Sequence, residues 1–179
     1  MGEQSGKITT QVESFTLDHT AVRAPYVRLI GKESGTHGDV IANFDIRLTQ
    51  PNAQFIDPSS IHTIEHCAAG LLRDILPTGL RLIDSSPFGC LTGFHNIVWV
   101  DGDFSDAELV GIMTDAWTKS LQAILDFDES DVPAMRESEC GNAAMHSLHG
   151  AKMWIGRILG SGFSTDPFQR VGQWIKDNN

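Results

Sequence analysis

Between residues 40 and 48 apolar and polar side chains alternate. Val40, Ala42, Phe44, Ile46 and Leu48 fall on one face, and Ile41, Asn43, Asp45 and Arg47 on the other. A period of two is that of a strand with one buried face. Residues 26–30 (YVRLI) form a shorter strand pattern, and Gly31, Gly35 and Gly38 mark the loop that joins the two strands in a hairpin. The spacing then lengthens. Asp57-Pro58 sets a capping carboxylate ahead of proline at the first helical position and predicts a helix over about 58–74, ended by Pro77 and Gly79. Two further strands are expected at 80–84 and 90–100, joined by the tight connection SSPFG. Ser105 with Glu108 is a capping box. It opens a helix with apolar positions Leu109, Ile112, Met113, Ala116, Trp117, Leu121 and Ile124. A last helix is expected over about 143–159, with Gly160 as its C-cap. Strand pairs joined by short turns, interleaved with helices, predict an α+β fold: an antiparallel sheet of about four strands with helices packed on one face. Residues 1–11 read as a lead-in, 12–159 as a single domain, and 160–179 as a C-terminal extension that Trp174 and Ile175 favour docking in part.

Composition narrows the class. A chain of 179 residues, 41% hydrophobic, can bury roughly two thirds of its unfolded surface and needs no disulfide staples. Its 23 Asp+Glu against 13 Lys+Arg give a net charge of −10, which argues against a nucleic-acid partner. The longest apolar or small run, 67–72, falls far short of the roughly 20 residues a bilayer span needs, so no membrane role is expected. The start, MGEQSGKITT, lacks the apolar core of a secretory signal, and Gly6 stands where a myristoylation motif wants Ser or Thr. Three cysteines, at 67, 90 and 140, do not make a disulfide framework. They suggest a reducing cytoplasm, where thiols serve as ligands or catalysts.

The first helix carries the chemistry. At about 100° per residue, His62, Glu65, His66 and Ala69 share one narrow arc, while Ile64, Ala68, Leu71 and Leu72 fill the adjoining arc and should face the core. Two imidazoles at i and i+4 can reach one metal ion. Glu65 between them can coordinate or act as a general base. A catalytic site of this kind needs a third protein ligand and an open fourth position. The candidates are Cys67, Cys90, Cys140, His146 and His149. Cys67 points away around the helix and reads as a small buried residue. Cys140, just ahead of the expected last helix, is preferred, because a helix N-terminus stabilises a thiolate. His146 and His149, three apart, read as one solvated helix face or as a second site. Cys90, at a strand rim after Gly89, is placed for acid–base or nucleophilic work, although taken alone it fits a buried structural cysteine better.

These segments match a known family. His62-Thr63-Ile64-Glu65-His66, Ser85-Ser86-Pro87-Phe88-Gly89-Cys90-Leu91-Thr92-Gly93-Phe94 and Glu139-Cys140-Gly141 resemble S-ribosylhomocysteine lyase, as do Val12-Glu13-Ser14-Phe15, Leu17-Asp18-His19-Thr20, Ala24-Pro25-Tyr26-Val27-Arg28, Phe44-Asp45-Ile46-Arg47, Thr49-Gln50-Pro51-Asn52 and Met145-His146-Ser147-Leu148. The resemblance covers about residues 12–159. It implies a small-molecule substrate, S-ribosylhomocysteine, split into homocysteine and 4,5-dihydroxy-2,3-pentanedione, the precursor of autoinducer-2. It implies a homodimer with two active sites at the subunit interface. It implies that His62, His66 and Cys140 hold a divalent metal, Fe²⁺ in the cell with Zn²⁺ or Co²⁺ able to replace it, and that water fills the fourth position. Cys90 and Glu65 would be the catalytic acid–base residues. Ser14, His19, Arg47 and Asp84 would contact substrate, some across the dimer, and Arg47, on the polar face of its strand, could take the amino-acid carboxylate as a two-pronged fork. Two positions depart from the family pattern: Leu91 stands where Arg usually follows the catalytic cysteine, and His95 where Tyr is usual.

Two other readings compete. HxxEH is also the inverted-zincin peptidase motif, with Glu139 as a downstream carboxylate. Those peptidases are much larger, and the Cys90 and Cys140 segments would go unexplained. A non-catalytic metal module would need a fourth protein ligand and a closed site.

Overall fold

Alternation along residues 40–48 builds the centre of the sheet. The computed structural model, which describes residues 10–168, forms strands β1 (Tyr26–Ser34), β2 (Val40–Arg47), β3 (Leu80–Pro87) and β4 (Gly93–Val100), and helices α1 (Pro58–Ile75), α2 (Asp106–Leu125) and α3 (Leu148–Ser161), with short 3₁₀ turns at Glu13–Phe15 and Glu129–Asp131. All pairings are antiparallel, in the order β1-β2-β4-β3. The fold is α+β, as the element order predicted.

The register sorts side chains to two faces. Ala42 lies opposite Val98 and Ile46 opposite Phe94, and these residues, with Phe44, Leu82 and Val100, are buried beneath the helices. From α1 come Ile61, Ile64, Ala68 and Leu72; from α2 Leu109, Met113, Trp117 and Leu121; from α3 Leu148, Ala151 and Ile155. Each large apolar side chain buried in this way contributes roughly 1.5–3 kcal/mol. One polar pair crosses the layer: the Trp117 indole N–H donates to Asn96 Oδ1 at 2.6 Å, so neither buried group is left unpaired. The other face carries the rungs Ile41–Trp99, Asn43–Ile97 and Asp45–His95. Ile41, Asn43, His95, Ile97 and Trp99 are only half-buried there.

Several boundaries differ from the pattern-based expectation. Strand β1 runs four residues beyond 30, because a bulge between Leu29 and Gly31 keeps it paired, and the chain turns at Gly38, whose φ of +87° a glycine adopts freely. Strand β3 continues through Ser85-Ser86-Pro87, and β4 starts at Gly93 instead of 90, so the connection is 88–92. Gly93 is required: a Cβ there would collide with the carbonyl oxygen of Ile46. The last helix starts at Leu148, not 143. Ser147 caps it by accepting from the Gly150 amide at 3.1 Å, while the Ser147 amide is drawn to Thr63 Oγ1 (2.9 Å) on α1. It ends two residues later than expected, at Ser161, and in place of Gly160 its cap is Gly162 (φ +68°), whose amide bonds the Ile158 and Leu159 carbonyls. Past that cap the chain runs back to the start of β1. Ser164 N donates to Pro25 O (2.7 Å), and Arg23 N to Pro167 O (2.8 Å). Trp174 and Ile175 lie outside the described residues.

Candidate metal centre

Helix α1 begins where Asp57 accepts from the Ser60 amide (3.1 Å), with Pro58 at the first position. Burial alone would raise the Asp57 pKa, but hydrogen bonds from Ser60, Ser59 and the Trp154 indole outweigh it and hold the carboxyl down at about 2. One turn further on, His62 and His66 stand with ring centroids 4.6 Å apart and planes nearly perpendicular. Two more donors reach them from the irregular stretch between Val132 and α3. Cys140 Sγ lies 3.4 Å from His62 Nε2 and 3.9 Å from His146 Nε2. The ligand atoms of His62, His66, Cys140 and His146 all fall within 4.8 Å of one another. Donors about 2.0–2.3 Å from a tetrahedral ion stand about 3.3–3.6 Å apart, so a slight contraction seats one ion.

The rings are oriented for this. His62 Nδ1 meets the Met145 carbonyl at 2.7 Å, and His66 Nδ1 meets the Pro133 carbonyl at 2.9 Å. A carbonyl only accepts, so each Nδ1 carries the proton and each Nε2 turns a lone pair inward. The soft sulfur and the imidazoles suit Fe²⁺, Co²⁺ or Zn²⁺ and not Mg²⁺ or Ca²⁺.

Cys140 sits in a turn eight residues ahead of α3, so the expected helix N-terminus does not act on it. Its sulfur instead accepts from the Asn142 amide at 3.3 Å. His146 and His149 do not share a helix face. His146 precedes the helix and joins the imidazole cluster, stacked on His62 at 4.1 Å with planes 19° apart, whereas His149 is exposed. Burial, with His62 and His66 adding to it, lowers the His146 pKa. HxxH spacing carried no signal for this, because only the fold of 132–147 back onto α1 separates the two histidines. Cys67 is buried in the core, as expected, and burial pushes its thiol up to about 12.

Glu65 is half-buried beside a cavity of about 380 Å³ lined by Glu65, His66, Arg73, Asp84, Ser85 and Pro133. Burial raises its pKa and Asp84 adds to the rise, while His62 and His66 oppose it. Asp84 is exposed and accepts from Ser86 Oγ.

Cys90 does not begin a strand. It sits exposed in the 88–92 turn, before Leu91 at φ +60°. Its sulfur lies 3.0 Å from Thr92 Oγ1 and 3.7 Å from Arg47 Nη1. Arg47 Nη1 also donates to Thr92 Oγ1 at 2.7 Å, which leaves the threonine's own proton to point at the sulfur. The Arg47 fork, expected to be free for a carboxylate, is closed on Asp45: Nε donates to Oδ1 at 3.2 Å and Nη2 to Oδ2 at 3.0 Å. Both residues are almost fully buried, and the Phe88 ring covers the guanidinium at 4.2 Å. His95 meets Phe88 edge-on at 4.5 Å.

Ser14 lies half-buried in the first 3₁₀ turn, and His19 Nδ1 donates to the Leu17 carbonyl at 2.9 Å. Among the described residues, no hydrogen bond joins Ser14, His19 or the Cys90–Arg47 group to the imidazole cluster. One chain therefore holds two chemical groups, a metal-type cluster with Glu65 and Asp84 beside it, and a thiol backed by arginine.

Residues 12–168 match the family model described as S-Ribosylhomocysteinase (LuxS). The chain is 52% identical over 163 residues to an S-ribosylhomocysteine lyase of Lactococcus lactis subsp. cremoris, with 89% of this chain and 97% of that protein covered. It is 52% identical over 161 residues to one of Lactobacillus helveticus, with the same coverage of 89% and 97%. Against one of Bifidobacterium longum subsp. infantis the identity is 51% over 164 residues, covering 89% and 92%.

Proposed function

The chain belongs to the S-ribosylhomocysteinase (LuxS) family, and from that premise we propose how its residues divide the work. It is a carbon–sulfur lyase that converts S-ribosylhomocysteine to homocysteine and 4,5-dihydroxy-2,3-pentanedione, the precursor of a quorum-sensing autoinducer. The observation that carries the assignment to a site is the convergence of His62, His66 and Cys140, with the imidazole Nε2 lone pairs turned toward one point. Residues 12–159 then form the catalytic domain.

A C–S bond at an unactivated sugar carbon resists cleavage. It breaks once the carbonyl has moved from C1 to C3, because removal of the proton on C4 then expels the thiolate from C5. His62, His66 and Cys140 would hold Fe²⁺, replaceable by Zn²⁺ or Co²⁺, and the ion supplies Lewis-acid stabilisation of the charge that builds on oxygen at each proton transfer. Cys90 shuttles protons in the isomerisations; its sulfur is poised by Arg47 and Thr92. Glu65, in the cavity beside His66, serves the later isomerisation and takes the C4 proton. Each such acid–base group is worth about 10²–10⁴-fold in rate. Asp84, on the same cavity, with Ser14 and His19 hold the substrate. Arg47, its fork occupied by Asp45, contributes chiefly through Cys90.

We place the complete site at the interface of a homodimer. Among the described residues no hydrogen bond joins Cys90 and Arg47 to the imidazole cluster of the same chain, which supports this, as do the half-buried rungs Ile41–Trp99 and Asn43–Ile97 and the exposed Phe15. No described helix is long and apolar enough to cross a membrane, and the three free thiols suit a reducing, cytoplasmic setting.

Four protein donors within 4.8 Å also suit a closed, non-catalytic metal module. One assay separates the readings. Protein loaded anaerobically with Fe²⁺ or Co²⁺ releases free thiol from S-ribosylhomocysteine, read with a thiol-reactive dye. Cys90→Ala and Glu65→Gln abolish release and retain the metal. Loaded protein that releases no thiol is not a lyase.

A further inference from the structure

We propose that Glu13 and Arg28 are positioning residues: their ion pair fastens the turn that carries Ser14 to the buried row of charges behind Cys90, so that both groups meet one substrate at a fixed spacing. The proposal rests on the reading above, in which Ser14 binds substrate and Cys90 moves protons.

Residues 12–20 have little else to hold them. None of them is buried, and the first 3₁₀ turn has no side-chain cap. Among the described residues, every hydrogen bond of this segment but one contact reaches no further than three positions along the chain. A segment without burial or long-range bonds opens at little cost. The exception is Glu13. Arg28 Nη1 donates to Glu13 Oε1 at 2.7 Å and Nη2 to Oε2 at 3.4 Å, the two-pronged match of a guanidinium with a carboxylate. Ser14 is the next residue, so the tie is made one position from the hydroxyl it would hold.

Arg28 also faces the other way. It lies opposite Asp45 in the β1–β2 register, and its Nη2 is 3.6 Å from Asp45 Oδ2. Asp45 closes the Arg47 fork, and Arg47 Nη1 stands 3.7 Å from Cys90 Sγ. Charges therefore alternate from Glu13 through Arg28, Asp45 and Arg47 to the thiol. Exposure falls along the same path: 44% for the Glu13 side chain, 14% for Arg28 and 4% for Arg47. The inner pair is sealed, and the outer pair is the one that water can loosen. An exposed ion pair adds little to the stability of a whole domain. Where nothing else ties a segment down, the same small energy decides where that segment lies.

Glu13→Gln keeps the size of the side chain and removes its charge. Wild type and variant, loaded with Co²⁺, are compared by thiol release and by hydrogen exchange read with mass spectrometry. KM for S-ribosylhomocysteine should rise about fivefold, the upper end for an exposed pair, because only molecules with the turn docked bind well. The kcat should stay within about twofold, since Asp45, Arg47 and Cys90 are untouched. Exchange should quicken over residues 12–20 and not in α1. Arg28→Lys keeps a charge beside Asp45 but cannot fork onto Glu13, so it should raise KM likewise, and the double variant no further than either single one. A KM that Glu13→Gln leaves unchanged overturns the proposal. So does a loss carried by kcat, exchange that stays at the wild-type rate, or additive effects in the double variant. Failure of the underlying reading looks different: wild type releases no thiol, or Ser14→Ala keeps the wild-type KM, and the proposal then falls with it.

Discussion

Replacing Asp45 with Asn tests the buried pair behind Cys90. Asp45 and Arg47 are 1% and 3% exposed, so solvent hardly screens them. The carboxylate receives two hydrogen bonds from Arg47 (3.2 and 3.0 Å) and one from the Tyr26 hydroxyl (2.9 Å), with Arg28 Nη2 at 3.6 Å. Asn keeps the shape and can still accept from Tyr26, but it removes the charge that compensates Arg47. Breaking a buried pair on one side costs about 3–5 kcal/mol, against a total stability of about 5–15 kcal/mol. In a chain of 179 residues each kcal/mol moves the melting temperature by roughly 2–4 °C, so Asp45→Asn should melt roughly 6–20 °C below wild type. Thermal unfolding followed by circular dichroism, at one fixed protein and metal concentration, measures it. The double variant Asp45→Leu with Arg47→Met should recover most of the loss, because removing both charges leaves neither stranded. A single variant within about 2 °C of wild type would show that Arg47 needs no counter-charge, and the account of how Cys90 is poised would fall with it.

Three further outcomes follow from the packing. Asp57→Ala should lose the α1 cap, about 1 kcal/mol at neutral pH. Because the folded carboxyl titrates at about 2 against an ordinary 3.8, that contribution is complete above about pH 3.8 and lost between 3.8 and 2. Wild-type and variant melting curves recorded down that range should therefore converge. Trp117→Phe leaves Asn96 Oδ1 buried without its donor and should cost about 1–3 kcal/mol in urea unfolding; an unchanged midpoint refutes the role given to that bond. Gly93→Ala forces a Cβ into the Ile46 carbonyl and should leave little soluble protein, whereas a normal yield with normal melting would contradict the close approach of β2 and β4.

Local chemistry explains which features the sequence disclosed. The alternation in 40–48, the Asp57-Pro58 cap and the Ser105–Glu108 box act within a few residues, and each lies where expected. The i,i+4 histidines were visible because a helix alone determines their spacing. The start of α3 lies five residues beyond the expected 143 because the tie of Ser147 to Thr63 spans 84 positions and overrides the local pattern of 143–147. The same long-range tie brings His146 into the cluster. Alternation puts Arg47 on the polar face of its strand, and nothing local announces that Asp45 and Phe88 enclose it, with Tyr26 bonded to the same carboxylate.

The backbone bonds of Ser164 to Pro25 and of Arg23 to Pro167 make the two extremities of the described chain one mechanical unit. Trimming the C-terminus at residue 160 would thus act at a distance. It would unhook the entry to β1 and slacken the arm that carries Ser14 and His19, while leaving the imidazole cluster untouched. A shortened enzyme should still hold its ion and yet grip its sugar less well, and a tag or fusion attached near this junction should be judged by substrate affinity before metal content.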